Sequence, residues 1–124
     1  MKTSYFANYK NIDQSKYIGV SIALYTPKTF KYHCLHFAPS KSTLEKYKNG
    51  EINQAQYTKE YLQKLNYLYN HGLMAYPLKL IKSIENQENK EAVLLCYETK
   101  DKFCHRHILV DFLKEKFNMI ISEI

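Results

Sequence analysis

Ala92-Val93-Leu94-Leu95-Cys96-Tyr97-Glu98-Thr99-Lys100-Asp101-Lys102-Phe103-Cys104-His105-Arg106-His107 is the stretch whose reading decides the fold. Its first five residues are a continuous apolar run, the pattern of a strand buried on both faces. A polar loop follows, and then Ile108, Leu109, Phe112, Leu113 and Phe117 recur at helical spacing. Asn118-Met119-Ile120-Ile121-Ser122 predicts a closing strand. Strand, helix and strand at this spacing form a right-handed crossover between parallel strands. Open parallel sheets bind ligands beyond the carboxyl ends of their strands. Cys96 and Glu98 stand at such an end. With Asp101 as the expected N-cap, Cys104, His105 and Arg106 fall in or just past the first helical turn.

Working outward, Lys2 to Ala7 reads as a short strand and Tyr17 to Leu24 as a second, stopped at Thr26-Pro27, where proline removes a donor. Residues 31–36 predict a third strand, whose alternation places Cys34 and His36 on one face. Ser40 caps a helix over 41–48 that Gly50 closes in the left-handed position. Asn53 caps a longer helix in which Tyr57, Tyr61, Leu65 and Leu68, with Leu62 and Tyr69, form a core-facing stripe. His71-Gly72 ends it. Pro77 suits the first turn of a third helix, with Leu78, Leu80, Ile81 and Ile84 turned inward. The expectation is a single α/β domain over residues 1–124. It has a small mixed sheet, a C-terminal parallel strand-helix-strand unit, and three helices between the third and fourth strands.

The totals agree. A chain of 124 residues, 45% hydrophobic and 24% charged, suits one globular domain. Twelve Tyr and six Phe with no Trp mean a core built from rings, whose buried hydroxyls need partners. Three cysteines, with no secretory apolar stretch at the Met1 end, predict free thiols in a reducing cytoplasm. No apolar segment approaches the roughly twenty residues of a membrane span. The net charge of +6 comes from scattered lysines without a basic run, so most read as solvated surface.

Among eighteen Lys and Arg, only Arg106 is arginine. A planar guanidinium holds a phosphate or carboxylate in a fork that lysine cannot reproduce. The free N–H groups and dipole of the helix start favour an anion and the thiolate form of Cys104. Cys104, His105 and Glu98 are therefore the candidate catalytic groups, for attack and proton transfer. Cys96 ends a core strand and reads first as a small buried hydrophobe. Glu98 has a second reading as the ion-pair partner of Arg106. The spacing of Cys96, Cys104 and His105, with Glu98 or Cys34, matches no standard zinc pattern, so neither metal nor other cofactor is expected.

Leu94-Leu95-Cys96-Tyr97-Glu98 followed by Phe103-Cys104-His105-Arg106-His107 resembles the signature of the bacterial and phage family of domain of unknown function 488. Thr3-Ser4-Tyr5-Phe6-Ala7, Val20-Ser21-Ile22 with Pro27, Phe37-Ala38-Pro39, Tyr47-Lys48, Gly50, Tyr57, Tyr61 and Glu123 extend the likeness over essentially the whole chain. The resemblance implies a single α/β domain with a shared site at Cys96, Glu98, Cys104, His105 and Arg106. It implies no reaction. An early arginine of that family, near the second strand, is replaced here by Ala23 or Leu24.

The function expected first is binding of a phosphate-bearing ligand, a nucleotide or nucleic acid, between Cys96 and Arg106. Arg106, Cys96, Tyr97, Ser4 and Tyr5 are its candidate contacts, with Tyr5, Phe6 or tyrosines of the long helix stacking on a base. The alternative is a cysteine- and histidine-dependent hydrolase or transferase acting on such a ligand. A third reading is a structural or protein-interaction domain. The expected partners are that ligand and a second copy of the chain, with no membrane.

Overall fold

Residues Glu91–Cys96 form β4, whose last five side chains are all buried, and the other strands assemble around it. The computed structural model describes all residues from Met1 to Ile124. β1 (Lys2–Tyr5) pairs parallel with β4, Lys2 opposite Val93 and Tyr5 opposite Cys96. β2 (Tyr17–Ser21) pairs parallel on the other side, Tyr17 opposite Glu91 and Ser21 opposite Leu95. β3 (Tyr32–His33) adds a short edge beside β2. The order is β1-β4-β2-β3, parallel at every pairing, where the sequence predicts a mixed sheet.

Three helices separate β3 from β4, as expected. α1 (Lys41–Lys48) is capped by Ser40, whose hydroxyl accepts from the Thr43 N–H, and Gly50 follows it at φ +75°. α2 (Gln54–Asn70) opens with a reciprocal capping box between Asn53 and Gln56 and buries Tyr57, Tyr61, Leu65 and Leu68. α3 (Ala75–Glu88) carries Pro77 in its first turn and buries Ile81 and Ile84. Leu80 instead faces solvent. α2 packs against α1 and α4 (His105–Phe117), while α3 packs against β2 and β4. The Tyr61 hydroxyl donates to the Phe37 carbonyl at 2.6 Å, so this buried ring is satisfied at its polar end.

Several boundaries differ from the pattern in the sequence. β1 ends at Tyr5 and passes into a 3-10 turn over Phe6–Asn11. β3 stops at His33 and a second 3-10 turn, Leu35–Phe37, follows. This breaks the alternation expected of Cys34 and His36: Cys34 is buried and His36 is exposed. The expected closing strand over 118–122 is an extended tail that meets the sheet at Thr3. There the Thr3 N–H donates to the Ser122 carbonyl at 3.0 Å and the Ile124 N–H donates to the Thr3 carbonyl at 2.9 Å. The tail therefore lies beyond β1, on the side away from β4. Helices long and apolar enough to cross a membrane are lacking.

Candidate functional site

Chain direction locates the site. From β2 the chain leaves toward β3 on one side of the sheet, and from β4 it leaves through α4 toward the tail beyond β1 on the other. Adjacent parallel strands whose connections depart in opposite directions leave a crevice at their carboxyl ends. A cavity of about 220 Å³ occupies that place. Ala23, Leu24 and Tyr25 enter it from the exit of β2, and Cys96, Tyr97 and Glu98 from the exit of β4. Phe103, Cys104 and His105 come from the start of α4, and Tyr47, Lys48 and Tyr57 cover it from α1 and α2.

The aromatic walls are continuous. Tyr57 packs edge-on against Tyr47 at 5.2 Å between centroids and against Phe103 at the same distance. Burial pushes the Tyr57 hydroxyl well above the usual phenol range, with Tyr47 and the Glu98 carboxylate adding to it. Tyr97 is half exposed and donates to the Tyr25 carbonyl at 2.7 Å, bridging the two strand exits.

α4 starts at His105, and its N-cap is Cys104 rather than Asp101, with no side-chain cap bond. The delay brings Cys104 and His105 to the cavity floor. The sulfurs of Cys96 and Cys104 are in bonding contact, which leaves Cys34 as the free thiol. The sequence reading expected three free thiols and separate roles for these two. Burial pushes the Cys34 thiol up to about 11, as befits an inert core residue.

His105 is buried, and burial pushes its imidazole down to about 4, against a partly opposing bond to Ile22. The ring is therefore neutral near pH 7. Nε2 lies 2.7 Å from the Ile22 carbonyl, which only accepts, so Nε2 carries the proton and Nδ1 keeps its lone pair. Nδ1 stands 3.7 Å from the Cys104 sulfur. Cys96, Cys104 and His105 offer three donor atoms within 4.8 Å of one another, a convergence that their spacing along the chain does not reveal.

Arg106 is fully buried and faces away from the cavity. Nε and Nη2 donate to the two carboxylate oxygens of Glu123, at 2.9 Å and 2.8 Å. Nη1 donates to Cys96 Sγ at 2.9 Å and to the Glu98 carbonyl at 2.6 Å, and Nη2 reaches the Thr99 carbonyl at 3.2 Å. All five N–H donors of the guanidinium are used within the chain. The expectation that Arg106 grips a ligand anion is thereby corrected: none of its donors is left over. Its carboxylate partner is Glu123 and not Glu98, whose side chain lies at the cavity. Burial raises the Glu123 carboxyl, but hydrogen bonds from Arg106 and Thr3 outweigh it and hold the group below the usual range.

Two other expected contacts also lie elsewhere. Ser4 is buried and donates to the Ile124 carbonyl at 2.7 Å. The Tyr5 ring lies under the Arg106 guanidinium at 5.9 Å. Both belong to the cluster around the tail, and neither lines the cavity. Phe6 packs on Phe30 and Tyr97, behind the wall. The sequence reading missed Lys48, Tyr25, Tyr47, Phe103 and the Ile22 carbonyl. Tyr57 was legible as part of a stripe, but a stripe alone does not tell a core ring from a wall.

The fold and crevice define an α/β protein of the open parallel-sheet class with a cavity at its switch point. A family profile described as the active DUF488-N3 subclade, DUF488-N3a, matches residues 10–117, and the chain belongs to that family of unknown function. No curated protein and no solved structure matches the chain.

Proposed function

We propose that the chain binds a small phosphate-bearing ligand with a planar ring, a nucleotide or the end of a nucleic acid, in the cavity at the carboxyl ends of β2 and β4. The observation that carries this reading is the aromatic lining of Tyr25, Tyr47, Tyr57, Tyr97 and Phe103 around a floor made by the first residues of α4. Rings of this kind stack on a base. The N–H groups of the first α4 turn and the exposed ammonium of Lys48 favour the phosphate, a role in which Lys48 replaces Arg106. Arg106 becomes a positioning residue that ties Cys96 and the loop at Glu98 and Thr99 to Glu123. A thermal-shift series with nucleotides, nucleosides and inorganic phosphate tests the reading. Nucleotides are expected to stabilise the chain more than either half alone, and Leu24→Trp, which fills the cavity, is expected to abolish the shift. No shift with any nucleotide, or an unchanged shift in Leu24→Trp, overturns it.

A second reading, a hydrolase or transferase, draws on the neutral His105, whose Nδ1 lone pair is turned toward the Cys104 sulfur. In the reduced protein His105 would take the Cys104 proton, and Glu98 at the mouth would serve as an acid or base. Alkylation of Cys104 no faster than that of an ordinary exposed thiol sinks this reading.

A further inference from the structure

We propose that Cys96 Sγ, Cys104 Sγ and His105 Nδ1 form a site for a divalent, thiolate-preferring metal ion such as zinc, with the fourth coordination position open to the cavity. The three donor atoms converge within 4.8 Å. Tetrahedral zinc, about 2.3 Å from sulfur and about 2.0–2.1 Å from nitrogen, sets a sulfur–nitrogen separation of roughly 3.6 Å. Cys104 Sγ and His105 Nδ1 stand 3.7 Å apart. The backbone agrees. The Cα atoms of Cys96 and Cys104 are 7.4 Å apart, beyond the roughly 4.4–6.8 Å that a direct sulfur–sulfur bond spans. The two sulfurs, in bonding contact here, part to roughly 3.8 Å when an ion of tetrahedral geometry sits between them, and the wide Cα spacing from the end of β4 to the start of α4 leaves room for that.

The surroundings are those of a ligand set. A metal-bound histidine has its other nitrogen fixed by a carbonyl or carboxylate, which sets the tautomer and the ring plane. The Ile22 carbonyl does this for His105 at 2.7 Å. Arg106 Nη1 donates to Cys96 Sγ at 2.9 Å, a bond that strengthens when the sulfur is a thiolate. The guanidinium charge is already met by Glu123. Two thiolates and a dication then add no net charge to this buried region. A thiol reductant supplies the two electrons and two protons that split the Cys96–Cys104 bond and leaves as its own disulfide; the ion then binds the two sulfurs as thiolates, and both thiol protons pass to solvent. Three protein ligands beneath a cavity are the pattern of a catalytic zinc, since a structural one fills its fourth place with protein. Glu98 lines the same cavity and is the carboxylate at hand for a metal-bound water. The site shares the cavity of the ligand reading but does not depend on a nucleotide occupying it.

The test uses the full chain, purified under reducing conditions and dialysed against zinc or cobalt(II). Zinc is expected at one ion per chain, and cobalt is expected to show thiolate-to-metal charge-transfer and intense tetrahedral d–d bands. Cys34→Ala is expected to keep both. Cys96→Ser, Cys104→Ser and His105→Gln are each expected to lose the bands, with circular dichroism reporting whether the variant folds. Should one of them not fold, the wild-type chain still decides: bound zinc is expected to slow alkylation of two of its three thiols, and a chelator to restore the rate. No retained ion, cobalt bound without thiolate bands, or bands that survive in a folded variant overturns the proposal. A Cys96–Cys104 disulfide that resists reduction in the folded chain overturns it too. Metal content and nucleotide shift are read separately, so either reading can fail while the other stands.

Discussion

Arg106 clasps Glu123 with two parallel hydrogen bonds, Nε to Oε1 at 2.9 Å and Nη2 to Oε2 at 2.8 Å, across the seam between the start of α4 and the tail. The pair lies beneath the cavity floor and not in it. It joins three pieces: the end of β4 through Cys96, the following loop through two carbonyls, and the tail through the carboxylate.

Glu123→Ala leaves this guanidinium buried without its counter-charge. Breaking a buried pair by removing one partner costs on the order of 3 kcal/mol, and urea unfolding is expected to show a loss of that size. Arg106→Lys is expected to recover little, because an ammonium cannot make the fork. A loss under about 0.5 kcal/mol, the range of ordinary surface substitutions, would show that the clasp is dispensable.

The same carboxylate gives the fold an acid limit. Its folded value lies below the ordinary 4.5. Its contribution to stability is therefore complete above that ordinary value, and it is lost as pH falls through the lower folded value. Melting temperature measured from pH 7 downward is expected to drop more steeply below about pH 4.5 in the wild type than in Glu123→Gln. Parallel curves would remove Glu123 as the cause.

Much of this was legible in the chain. The unbroken apolar run at 92–96 reads as a buried strand, which the structure bears out, and the caps Ser40 and Asn53 marked two helix starts because a side-chain oxygen before an amphipathic run has one common use. The cluster Cys96, Glu98, Cys104, His105 and Arg106 was legible as a neighbourhood. What each member does was not, because it depends on partners far away in sequence. Ile22 orients His105, and Glu123 takes Arg106 out of the cavity. Asp101 looked like the N-cap by type, yet the helix begins later, at a position where Cys104 supplies no cap bond.

Gly19 in β2 sits where a side chain has no room. A Cβ there would stand 2.9 Å from Leu95 Cδ1 and 3.1 Å from ring carbons of Phe30 and Tyr9. The Tyr9 hydroxyl also accepts from the Gly19 N–H at 3.1 Å, so the ring cannot simply withdraw. Overpacking of this kind costs roughly 1–3 kcal/mol, and Gly19→Ala is expected to lower the urea midpoint accordingly. A neutral result would mean that the rings around Gly19 move freely.

Lys48 lines the cavity, and the proposed ligand reading gives it the phosphate and leaves the ring to the tyrosines. Lys48→Gln is expected to weaken binding of a nucleoside monophosphate roughly tenfold, about 1.4 kcal/mol, while leaving the nucleoside unchanged, as calorimetry can read. Equal weakening of both would place the phosphate elsewhere.

The bond from His105 to the Ile22 carbonyl joins residues 83 positions apart in the chain. The floor of the site therefore has no existence before β2 has zipped against β4 and α4 has docked, and no fragment that omits either Ile22 or His105 contains it. An occupant that binds only the finished floor adds its affinity to the free energy of folding. Titrating an occupant is, for this protein, the same experiment as titrating stability.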